Sequence, residues 1–216
     1  MKKLLCCLAI LIVWHTLADA GILRDGVDFA DLAKLSAEGL EALKETEFKV
    51  FLAKVKLFRA KDAEKQAGGD LKGVKGTLEA KGLDLKAAKA EYEAAKANQD
   101  GERKKKAEEA IGRVRGEVEA AGLLVKWKEM VVKARSAGVK KEKLAMDLAE
   151  AKRDLARVSR LAAEKVSSAN KYSVKEYEDM VKNTEEKHEA AAKKERGDIQ
   201  EAEQLKTQYE KMVGQK

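Results

Sequence analysis

Apolar residues recur at spacings of three and four through almost the whole chain, which is the period of an amphipathic helix and not of a strand. Glycines interrupt the stripe and divide the chain into five predicted helices. The first covers residues 27–66, with Asp25 or Asp28 able to cap its start. Leu32, Leu35, Leu40 and Leu43 begin its stripe, and Phe48, Phe51, Val55 and Phe58 continue it in steps of 3, 4 and 3. Those four are expected on one face, in the core; the alternative for the phenylalanines is an apolar groove or a surface patch for a ligand. Gly68-Gly69 is expected to end the helix, as glycine does at many helix C-termini.

Gly73, Gly76 and Gly82 each cost about 1 kcal/mol relative to Ala inside a helix, so residues 70–76 read as a loop and the second helix as 77–97. Asn98-Gln99-Asp100-Gly101 is a turn signal. The third helix covers 102–137. Ile111, Val114, Val118, Ala121 and Val125 step 3-4-3-4, a heptad seam, and Gly138 is expected to close it. The fourth covers 140–168, with Leu144, Leu148, Ala151, Leu155, Val158 and Ala162 on its seam. The fifth opens at Ser173, with Glu176 three residues on, a capping box. Val174, Tyr177, Val181, Thr184, His188 and Ala191 form its seam. Beyond Gly197 the pattern resumes through Ile199, Ala202, Leu205, Tyr209 and Met212 on a shifted register, so a kink or break is expected there. Short connections make consecutive helices antiparallel neighbours. The fold class is therefore all-α, an elongated antiparallel bundle of about five helices with coiled-coil-like packing.

The N-terminus follows a different pattern. Lys2 and Lys3 precede an unbroken apolar run over residues 4–13, and Ala18-Asp19-Ala20 offers an A-x-A cleavage site before Gly21. That is the anatomy of a secretory signal peptide. Ten apolar residues are half of the ~20 a spanning helix needs, which argues against a membrane anchor. The expected organisation is a signal over 1–20 and a single helical-bundle domain over 21–216. Cleavage removes Cys6 and Cys7, so the secreted chain holds itself together without disulfides. The C-terminus is polar, against a GPI tail.

Composition agrees. The 216 residues contain no Pro, 38% are charged and 5% aromatic, and Ala and Lys number 35 each. These are strong helix formers, and too few β-branched and aromatic residues remain for a sheet. The formal net charge is +7.

Catalytic chemistry is scarce. His188 is the one His after the signal, and it lies in a helix seam, where a half-buried structural role is the commoner outcome; as such it is a candidate pH-sensitive position. Glu185-x-x-His188 is half of a carboxylate-bundle metal motif, but no second copy exists. No metal, cofactor or catalytic residue is implied, and the chain reads as a non-enzyme. Gly112-x-x-x-Gly116 followed by Ala120 reads as a close helix crossing, or as a groove left for a partner. Arg103, Lys104, Lys105 and Lys106 form the concentrated basic run, a candidate contact for an anionic surface together with Lys140, Lys141, Lys143, Lys193 and Lys194. Nucleic acid is disfavoured, because no aromatics interleave with the basic residues.

Two readings of function remain. One is a secreted or surface-associated bundle with a non-catalytic binding or spacer role towards a macromolecular partner, chiefly a protein. In architecture alone it resembles the helical-bundle surface and secreted receptors of protozoan parasites, without their usual cysteines. The other is an exchangeable bundle that lays amphipathic helices on acidic lipid or glycosaminoglycan, similar in form to insect apolipophorins. Homo-oligomerisation through helix packing is compatible with either.

Overall fold

The computed structural model describes residues 26–214. Among these residues the regular structure is entirely helical: α1 (Phe29–Leu32), α2 (Ala37–Ala97), α3 (Gly101–Ala163), a single 3-10 turn (Ala169–Lys171) and α4 (Val174–Gly214). The predicted signal, with its cleavage residues Ala18, Ala20 and Gly21, lies outside the described residues.

The all-α class holds, but the expected division into five helices does not. The first predicted helix breaks ahead of the Ser36 cap, leaving α1 apart; its remainder joins the second in one 61-residue helix, α2, and the third and fourth are one 63-residue helix, α3. Gly68, Gly69, Gly73, Gly76 and Gly82 all continue α2, Gly138 continues α3, and Gly197 continues α4 without a break. Glycine lowers helix propensity by about 1 kcal/mol. A seam running the length of the rod offsets that locally, because stopping the helix would expose the apolar residues on both sides of the stop.

The seam of α2 is unusually regular. Gly39, Leu43, Thr46, Val50, Ala53, Leu57, Ala60, Glu64, Ala67, Leu71, Val74, Leu78, Lys81, Leu85, Ala88, Tyr92 and Ala95 are all buried or half-buried. They alternate steps of 4 and 3 throughout, and every glycine from Gly68 to Gly76 falls off this line. The expected third-helix seam (Ile111, Val114, Val118, Ala121, Val125) is likewise buried or half-buried. In α4 the seam passes from Ala191 through Glu195 and Asp198 to Ala202 without a register shift, and Ile199 is exposed.

The ends are chemically specified. Ser36 caps α2, its hydroxyl accepting from Gly39 N at 2.9 Å. At the tip of the α2–α3 hairpin the turn falls where the sequence places it, with Gln99 at φ 58° and Asp100 accepting from Arg103 N at 2.9 Å. Helix α3 ends before Lys165, whose φ is 54°. Ser173 accepts from Glu176 N at 3.4 Å, half of the expected capping box.

Helix α3 is the spine. Along it, α2 is registered by Lys75–Glu129 at 2.8 Å and Lys81–Glu117 at 2.8 Å. Helix α4 is registered on α3 by Lys152–Glu185 at 2.6 Å and Lys141–Glu195 at 2.9 Å. It packs on Trp127, whose ring meets Tyr209 at a centroid distance of 6.0 Å, and runs on past that contact to Gly214. Beyond that point α2 and α3 project as a two-helix hairpin. At 1.5 Å per residue α3 is ~95 Å long, and the projecting hairpin accounts for ~30 Å of it.

The opposite end holds the largest apolar cluster. Val27, Leu32 and Leu35 fold under the bundle and pack with Leu43, Val158 and Leu161, ringed by Val166, Tyr172, Val174 and Tyr177. Asp31 is buried within this base and accepts from Lys34 Nζ at 2.7 Å and Tyr172 Oη at 2.9 Å. The Lys34 ammonium, helped by the Tyr172 hydroxyl, holds its carboxyl well below the usual range. Glu164 is also lowered, first by the Ser36 backbone N–H, which donates to it at 2.8 Å.

Candidate binding face

Helix α2 carries two apolar stripes, two residues out of phase. The inner stripe, through Val50, Ala53 and Leu57, meets α3. The outer stripe is Phe48, Phe51, Val55 and Phe58, the residues expected in the core. They are not there: Phe48 and Phe51 are each 57% exposed and Phe58 is 74% exposed. Val55 is half-buried, and Leu40 and Leu52 widen the stripe as further exposed leucines. The Phe48 and Phe51 rings stack at 6.4 Å with an interplanar angle of 27°.

Two residues are a rotation of ~200° about a helix, so the outer stripe lies nearly opposite the face that meets α3. The aromatic stripe lasts three turns. The inner stripe is in phase with Leu71, Val74, Leu78, Leu85 and Tyr92 along the rest of the helix. Rotating α2 to bury three phenylalanines would turn that longer row outwards. The inner row is also built of small and aliphatic side chains, which let two long helices approach closely. Large aromatic clusters exposed on a monomer commonly mark an interaction surface.

The anionic-surface candidates do not converge. Arg103 pairs with Glu91, Lys106 with Glu102 at 2.7 Å, and Lys104 lies 5.6 Å from the centroid of the Tyr92 ring. The Glu91 carboxylate raises the Arg103 pKa. These contacts tie the run to the hairpin tip and offset much of its charge. Lys140, Lys141 and Lys143 lie on the same helix roughly 55 Å further along, at 1.5 Å per residue. Lys141 is paired with Glu195 and, at 3.0 Å, with Glu142. Lys193 and Lys194 adjoin that second group and not the first.

His188 is half-buried on the α4 seam. It lines a shallow cleft with Leu52 and Lys56 of α2 and Lys141, Glu142 and Ala145 of α3. Glu185, its partner in the sequence motif, turns to Lys152 instead. Among the described residues no group of three or more His, Cys, Asp or Glu is placed to hold a metal ion. In the small-residue pattern Gly112 is exposed, and a Cβ there would meet nothing within 4 Å, while Gly116 is half-buried and Ala120 buried. Trp127 is half-buried and flanked by Lys128, with Nζ 5.1 Å from its ring centroid. It belongs to the packing of α4 on α3.

The outer face of α2 is therefore the feature that sequence periodicity found and misassigned. The signal that separates the two stripes is their length. No family model, curated protein or solved structure matches the chain. Among the described residues no helix is long and apolar enough to cross a membrane.

Proposed function

We propose that the protein is a secreted or surface-associated rod with a non-catalytic binding or spacer role, engaging a macromolecular partner through the outer face of α2. The observation that carries this reading is the exposure of Phe48, Phe51 and Phe58 along one face of a helix otherwise covered in charge. Burying each exposed phenyl is worth on the order of 1.5–3 kcal/mol, which suits a partner better than water. The length of the rod supports the spacer half of the reading. The 3-4 stagger of all three long helices is the spacing of knobs-into-holes packing, and we assign that packing to them.

The second reading is attachment to an acidic membrane. It is favoured by Lys44, Lys61 and Lys65, which flank the aromatic stripe in the manner of an interfacial helix. Flotation with phosphatidylcholine vesicles, with and without phosphatidylglycerol, tests it. Sedimentation of the protein beside Phe48→Ser/Phe51→Ser/Phe58→Ser tests the first. Association with protein or vesicles that the triple variant abolishes supports a binding face. If wild type and variant behave alike in both assays, the face binds nothing and the proposal falls.

A further inference from the structure

The outer face of α2 is complementary in charge to its own reverse. Taken along the helix, its exposed line is Glu41, Lys44, Phe48, Phe51, Val55, Phe58, Asp62 and Lys65. All are exposed except the half-buried Val55. If a second α2 is laid antiparallel across it, with the two-fold axis at Ala53, each residue meets the one whose number brings the sum to 106. Glu41 then faces Lys65, Lys44 faces Asp62, Phe48 faces Phe58 and Phe51 faces Val55. One position to the side, Glu45 faces Lys61, another opposite pair. Every charge on this line finds its complement and every apolar residue an apolar one, while Leu40 and Leu52 at its margins meet Gln66 and Lys54.

We infer that the partner of this face is a second copy of the chain, docked α2 to α2 in antiparallel register about Ala53. The inference rests on the reading of that face as a binding surface and names its occupant. Self-complementarity of this kind is what a two-fold interface requires, since one patch must serve both subunits. A parallel pairing would set Glu41 against Glu41 and Lys65 against Lys65. A lipid surface requires no such order of signs.

The present pairing within the chain leaves the face available. Glu41 and Glu45 bridge to Lys44 and Lys49 on their own helix, and those residues are solvent-exposed. Such bridges are weak and exchange readily. Helix α3 covers the other side of α2, so it does not obstruct the approach. Taking ~200 Å² for a whole phenylalanine, the three rings offer roughly 375 Å² per subunit. That is about half of one partner's share of a standard interface, ~800 Å², and the charged flanks add the remainder. A dimer that dissociates in the micromolar range is the expected strength.

Sedimentation equilibrium of the full protein, from low to high micromolar concentration, tests this with two variants. Lys61→Glu/Lys65→Glu sets four like-charged pairs across the two-fold and should raise the dissociation constant at least about tenfold. Glu41→Lys/Glu45→Lys/Lys61→Glu/Lys65→Glu restores every pair in the antiparallel register and should return the constant to within about threefold of wild type. Circular dichroism checks that both remain helical. A wild type that stays monomeric overturns the inference. So does a dimer that the four-fold exchange fails to rescue, because its register or its face is then different. A monomer that still floats with vesicles overturns the second copy and leaves the binding face standing. A monomer that neither floats nor changes on Phe→Ser substitution overturns both.

Discussion

Asp31 is 1% exposed and still ionised, because Lys34, Tyr172 and Lys171 surround its carboxylate at the base of the bundle. Its folded pKa lies below the ordinary value of about 3.9. A depressed carboxylate stabilises the fold above its unfolded pKa and loses that contribution as pH falls through the lower, folded one. The base should therefore weaken from about pH 4 downwards, with Glu164 acting in the same direction. Thermal melting at pH 7 and pH 3 checks this: the wild-type midpoint should drop further than that of Asp31→Asn, which has no charge to lose at position 31. Parallel curves would remove Asp31 from the account. Leu161 is 0% exposed in the same cluster, and Leu161→Ala should cost about 2–5 kcal/mol by denaturant unfolding. Sequence pattern located Leu32, Leu35 and Val158 as apolar positions but gave no reason to join them, since the contact between residues 27–35 and the end of α3 is long-range.

The long helices show where pattern reading loses its hold. In the sequence glycine reads as punctuation, and at Gly68, Gly73 and Gly82 it is not. Each lies off the seam, and a Cβ at any of them would meet nothing within 4 Å. Their cost is backbone entropy alone. Gly73→Ala and Gly112→Ala should thus each stabilise the protein by about 0.5–1 kcal/mol in chemical denaturation. Gly39 differs, because an added Cβ would collide with the Glu164 carboxylate that Ser36 and Arg160 hold in place. Gly39→Ala should bring no such gain. If Gly73→Ala is as costly as Gly39→Ala, the unbroken α2 is wrong. Hydropathy also misread α4: Ile199 is more apolar than Asp198, yet Asp198 is on the seam, where Lys133 reaches its Oδ1 at 3.2 Å. Hydropathy favours the residue that would like burial; the heptad favours the one that comes round. The same conflict explains Phe48, Phe51 and Phe58, which are in phase with one another but not with the sixty residues around them.

At the scale of the whole molecule the helical class, the hairpin tip at residues 98–101 and the elongation were legible, because each depends on short-range periodicity and turn chemistry; the antiparallel reversal expected at Gly138 is not there, because α3 runs straight through it. The placement of the binding face was not, because it depends on which of two stripes a partner helix selects. A short three-helix body with a two-helix projection follows from the mismatch between a 63-residue α3 and a 41-residue α4. The function proposed for this rod stands on the aromatic stripe being outside it. Fluorescence quenching of Phe58→Trp, with Trp14 and Trp127 changed to Phe, measures that directly in dilute protein. The account predicts that aqueous acrylamide quenches Trp at position 58 nearly as well as free tryptophan, and much better than it quenches Trp127 in the parent. A position 58 shielded in the dilute monomer would put the stripe in the core and contradict the binding face.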